Sequence, residues 1–194
     1  MTTENRSAQR RRRIIVAVTG ASGAVYARLT LERLLEAREV EHIALIYSRT
    51  ALETVAFEGE QMPSDPCITV FDNGDLFAAA ASGSARYDAM IVVPCSVGTL
   101  GRIAAGSAQS LIERAADVML KERRRLIAVV REAPYSLIHL RNMTTLTEAG
   151  GIIVPASPSF YSHPRTIAEA CMTVVERVLA LCDVDIPHFE WQGR

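Results

Sequence analysis

The chain has 194 residues, 49% of them hydrophobic and 22% charged, enough to enclose the substantial core of one soluble globular domain. A net charge of -1 gives no support for bulk electrostatic binding to nucleic acid or to a membrane surface. No apolar run approaches the roughly 20 residues needed to span a bilayer.

Residues 1–13 carry four consecutive arginines at their end and read as a disordered basic tail on a cytoplasmic protein. The apolar run 14–18 predicts a strand, 19–24 a glycine-rich turn and 23–38 a helix. A strand at 43–47 and a helix at 49–57 follow. The stretch 59–86, rich in Gly, Pro, Ala and Ser, is expected to be an irregular loop over a site. Strands at 90–94, 126–130 and 151–155 alternate with helices at 97–107, 109–123, 135–149 and 164–182, and an extended tail holds Trp191. The strand runs are continuously apolar rather than alternating, as in a parallel sheet covered on both faces. Residues 14–194 therefore read as a single doubly wound α/β domain, Rossmann-like or flavodoxin-like, with a mainly parallel sheet and right-handed crossovers.

Ligands of such sheets bind beyond the strands' carboxyl ends, so the residues after each run carry the function. Gly20-Ala21-Ser22-Gly23 opens the first helix, where glycines admit a close ligand and helix N–H groups face an anion. The segment reads equally as a tight turn with Ser22 as a cap. Dinucleotide binding is disfavoured, because the second strand ends in Ser48-Arg49 and not in a ribose-binding acid. No tyrosine is followed four residues later by lysine, which removes short-chain dehydrogenase chemistry. Cys95-Ser96-Val97-Gly98-Thr99 forms a second loop of small residues, suited to a phosphate or a flat ring. Two such loops in one small domain fit a mononucleotide with both parts, such as FMN. Arg131 and Glu132 place an ionisable pair at a strand's end, where a functional role competes with a structural ion pair. Four cysteines (Cys67, Cys95, Cys171, Cys182) show neither C-x-x-C nor metal-ligand spacing, so reduced thiols and no metal are expected. Lys121 is the one lysine among twenty arginines. A compact ammonium can hold phosphate as a point charge, though a cation at a helix end needs no function.

Taken in order, Gly-Ala-Ser-Gly at 20–23, Ser48, Pro-Cys-Ser-x-Gly-Thr at 94–99, Leu-Ile-Glu-Arg-Ala-Ala-Asp-Val at 111–118, Leu-Lys-Glu-Arg-Arg at 120–124, Arg-Glu-Ala-Pro at 131–134 and Phe-Tyr-x-x-Pro at 160–164 resemble the UbiX-like flavin prenyltransferases. The resemblance runs from about residue 14 to Trp191. It implies an enzyme that joins a dimethylallyl group, taken from dimethylallyl phosphate, to N5 and C6 of reduced FMN without a metal. The product, prenylated FMN, serves UbiD-like decarboxylases, and the family forms homo-oligomers, dodecamers with the site at subunit interfaces.

By that resemblance Gly20, Ala21, Ser22, Gly23, Ser48, Ser96, Val97, Gly98, Thr99 and Arg131 bind FMN. Lys121, Glu132, Tyr161 and Arg177 hold the donor phosphate, Lys121 reaching a neighbouring subunit's site. Ser22 and Glu58 manage the N5 proton, and Glu132 is a candidate base at C6. Arg49 stands where many relatives have lysine, Leu76 beside Phe77 where they often carry tryptophan, and Ser110 where asparagine is usual. Three other readings compete. A flavin-dependent cysteine decarboxylase lacks its Asn-Thr loop here, since Pro155-Ala-Ser-Pro-Ser-Phe stands instead. A direct aromatic-acid decarboxylase lacks a separate group aimed at a carboxylate, and a non-catalytic FMN carrier would not need the phosphate cluster.

Overall fold

The computed structural model describes residues 11–186. In chain order these form β1 (Arg12–Val18), α1 (Ala24–Glu36), β2 (Val40–Tyr47), α2 (Ala51–Phe57), β3 (Ile68–Phe71), β4 (Ala89–Cys95), α3 (Val97–Ala104), α4 (Leu111–Lys121), β5 (Arg125–Val130), α5 (Leu137–Glu148), β6 (Ile152–Pro155) and α6 (Ile167–Leu181). All six strands lie in one sheet of order β3-β2-β1-β4-β5-β6, and every described pair is parallel. That is the doubly wound α/β architecture expected from the sequence.

The continuous apolar runs divide by parity between two cores. Ile14, Val16 and Val18 face α1 and α6 together with Ile43, Ile91 and Ile127. Ile15 and Ala17 face the opposite way, toward α3 and α4, with Met90, Leu126, Leu100 and Leu111. Each fully buried Ile or Leu contributes about 1.5–3 kcal/mol of transfer free energy, so both faces must be apolar for the sheet to be covered. Helix starts are set locally. Ser96, Ser110, Ser136 and Thr166 each accept a backbone N–H from the first turn of their helix.

Several element boundaries differ from the sequence reading by two or three residues, and two departures bear on the architecture. Strand β1 begins at Arg12, not residue 14. The Arg13 N–H donates to Asp88 Oδ2 at 2.9 Å, and its guanidinium lies 4.6 Å from the Tyr87 ring centroid. The end of the expected tail is thus anchored, while residues 1–10 and Trp191 lie outside the described residues. Strand β3, inside the stretch read as irregular, pairs only with β2. It is a four-residue edge strand, half exposed and without a continuous apolar signature.

Candidate active site

The strand order reverses between β1 and β4, and this switch point is where a parallel sheet opens a crevice at its carboxyl end. Thr19, at the end of β1, is buried and joins the two loops that face each other there. Its hydroxyl donates to the Pro94 carbonyl at 2.6 Å and accepts the Ser96 N–H at 2.8 Å. The sequence reading included Thr19 in the 19–24 turn but gave it no role of its own. A threonine directly after a buried strand and before the first glycine is the signal that could have found it.

The glycine turn differs from the open anion cradle expected for it. Glu58, just past α2, accepts the Gly23 N–H at 2.9 and 3.0 Å and the Ala24 N–H at 2.7 Å. The N-terminus of α1 is therefore already closed by the chain's own carboxylate, favourable to the helix dipole. Partial burial would raise the Glu58 pKa. The Ser22 hydroxyl, the two N–H groups and the Arg131 charge outweigh it and hold the carboxyl below the usual value. Gly23 has φ +106°, a backbone that disfavours any side chain, and a Cβ on Gly20 would collide with the Thr50 side chain.

Arg131 reaches from the end of β5 across β4 and donates from Nε to the Ser22 carbonyl at 3.2 Å. Ala21, Ser22, Gly23, Glu58 and Arg131 thus form one cluster. Glu132, next in sequence, accepts the Ala133 N–H at 3.0 Å and stands on the same rim. Facing them, Ser96 Oγ accepts the Thr99 N–H at 3.3 Å and donates to Thr99 Oγ1 at 3.1 Å, while Val97 and Gly98 form the first turn of α3. Cys95 is fully buried with its thiol pushed up to about 12, chiefly by burial, so it is an inert core residue. Among the described residues, no group of three His, Cys, Asp or Glu side chains converges on a metal position.

A flavin fits this crevice on the structure's own terms. Ser48 Oγ, at the end of β2, is buried without a hydrogen-bond partner, an arrangement that costs stability unless a ligand completes it. Arg49 is exposed beside it.

Of the four residues expected to hold the donor phosphate, Glu132 lies on this rim, but one chain does not bring Lys121 there. Lys121 ends α4 and is ion-paired with Glu122 at 2.6 Å, at the amino end of β5. Six strand residues separate that level from Arg131, about 20 Å at a rise near 3.3 Å. Arg177 lies four residues before the end of α6, also toward the sheet's amino side. Tyr161 is in the loop after β6, which the Ser159 N–H ties to Thr173 Oγ1 at 2.9 Å, one turn before Arg177. Of the departures from the family pattern, Ser110 caps α4 through the Glu113 N–H at 3.4 Å, a role open to asparagine as well. Leu76 and Phe77 stand exposed after β3.

A doubly wound sheet whose switch point is lined by glycine and hydroxyl loops, with no ribose-binding acid, defines a mononucleotide-binding flavoprotein, and the Flavoprotein family model matches residues 2–184. Over 188 residues the chain is 40% identical to the flavin prenyltransferase UbiX of Methanocaldococcus jannaschii, covering 93% of this chain and 98% of that protein. The chain belongs to the UbiX-like flavin prenyltransferases. Among solved structures it is similar to AnUbiX (PadA1) in complex with FMN and dimethylallyl pyrophosphate, with TM-score 0.85 and 43% identity over 94% of this chain and 100% of that one. It is equally similar to the dodecameric FMN-dependent UbiX-like decarboxylase of Escherichia coli O157:H7, with TM-score 0.86 and 40% identity over 93% and 100%.

Proposed function

We propose that this chain, a cytoplasmic protein whose residues 14–194 act as one unit, transfers a dimethylallyl group from dimethylallyl phosphate to N5 and C6 of reduced FMN. The observation that carries this reading is the switch-point cluster of Ser22, Gly23, Glu58 and Arg131 beside the unpartnered Ser48 Oγ. When bound there, FMN supplies the nucleophilic ring. Ser48 and Arg49 serve its phosphate, because Glu58 already occupies the α1 N-terminus. Ser22 and the ionised Glu58 hold and pass the proton at N5. Gly20, Ala21, Val97 and Gly98 let the ring approach the backbone, and Ser96 and Thr99 set the opposite wall.

Lys121, Glu132, Tyr161 and Arg177 hold the donor phosphate, where cations and a hydroxyl stabilise the charge that grows on the leaving group. Glu132 then takes the C6 proton. Since Lys121 stands at the sheet's other end, a second copy must bring it. Phe77, Ile138 and Phe160, in segments that follow β3, β5 and β6, are 101%, 68% and 70% exposed. Such apolar residues around a site suit a homo-oligomeric interface, and they would keep water from the allylic cation. A dodecamer is the assembly we infer, with prenylated FMN passing to a UbiD-like decarboxylase.

The test is anaerobic incubation of the purified protein with reduced FMN and either dimethylallyl phosphate or the diphosphate. Flavin heavier by one prenyl group supports the reading. FMN recovered with unchanged mass from both donors would leave a carrier instead.

A further inference from the structure

Glu113 is the one charged residue among the buried described residues, at 4% exposure. A carboxylate there is costly unless fully bonded, and it is: Arg102 Nε donates at 2.6 Å, Ser107 Oγ at 2.7 Å and the Gln109 N–H at 2.9 Å. A purely structural pair would end at this point. Arg102 instead continues toward the site. Its side chain runs back along α3 to the helix N-terminus, where Nη2 donates to Thr99 Oγ1 at 3.2 Å. Nη1 lies 3.5 Å from the point where a Cβ on Gly98 would stand, and it bonds no described residue. The α3 wall otherwise lacks charge, and the Ser96 hydroxyl is spent on Thr99.

We propose that Arg102 is a flavin-binding residue whose Nη1 edge favours the anionic reduced ring, and that Glu113 is the positioning residue that fixes its guanidinium. The inference rests on the FMN reading above. Reduced flavin near neutral pH is an anion shared between N1 and the C2 carbonyl, whereas the oxidised ring is neutral. A guanidinium held from behind by a buried carboxylate discriminates between the two states at little cost in side-chain ordering.

The experiment measures dissociation constants for oxidised and for reduced FMN, and the two-electron midpoint potential of the bound flavin. It compares the wild type with Arg102→Gln, Glu113→Gln and the double variant Arg102→Met with Glu113→Met. Arg102→Gln is expected to weaken reduced FMN at least tenfold more than oxidised FMN, which corresponds to a potential lowered by about 30 mV. Glu113→Gln should shift the potential in the same direction by less. Because the double variant removes the pair without stranding a buried charge, it should fold and show the full shift. Equal weakening of both redox states, or an unshifted potential in the double variant, would overturn the inference while leaving FMN binding intact. A wild type that binds no FMN would overturn the functional reading, and this inference with it.

Discussion

The Glu58 carboxylate accepts the Gly23 N–H through both oxygens, at 2.9 and 3.0 Å, and so seals the end of α1 that would otherwise attract a phosphate. One acid thereby caps a helix and stands beside Ser22, where proton handling is proposed.

Its charge should appear in the pH dependence of stability. The folded pKa lies below the unfolded one, so ionised Glu58 stabilises the fold above the ordinary carboxylate range. That stability is lost as pH falls through the folded value. Glu58→Gln should therefore cost about 1 kcal/mol near neutral pH, in line with lost helix caps, and much less in acid. Urea unfolding at both pH values checks this. A cost independent of pH would contradict it.

Thr19→Val keeps the shape and deletes the hydroxyl that joins Pro94 to Ser96. A buried carbonyl and N–H then lose their partner, a cost of about 1–3 kcal/mol. Loosening of the two loops should weaken FMN binding in parallel. Chemical denaturation and flavin titration read the two effects, and a neutral substitution would dismiss the bridge.

Ser48→Ala should behave in the opposite sense for the protein without ligand. Removing an unpartnered buried hydroxyl leaves stability unchanged or improved. FMN affinity should fall about tenfold, the worth of one hydrogen bond to a charged group. Unchanged affinity, measured by fluorescence quenching, would place the flavin phosphate elsewhere.

Much of this was legible in the chain because the strands announce themselves. Runs such as Ile14–Val18 and Leu126–Val130 are apolar on both faces, and only a covered parallel sheet needs that. Strand β3 was not, since an edge strand has one neighbour and half its side chains in solvent. The glycine turn was read as a site element open to an anion, and the carboxylate that the fold sets there is Glu58. A glutamate's partner thirty-five residues earlier is a tertiary fact that no local pattern carries. Arg102 and Glu113 escaped for the same reason. The spacing of Lys121 from Arg131 shows nothing in sequence, but once β5 lies between them the two stand at opposite ends of the sheet, so the proposed site needs a second chain.

The claim that copies of this chain complete one another's sites is tested most directly by complementation. Lys121→Ala and Glu132→Gln subunits are prepared separately and then mixed under conditions that exchange subunits, and prenylated FMN is measured by mass. Each variant alone should form little product while still binding FMN. The mixture should recover activity well above either, because some sites then combine an intact Lys121 with an intact Glu132. A mixture no more active than the two variants apart would show that both residues serve one subunit's own site, or that Lys121 is only a surface cation.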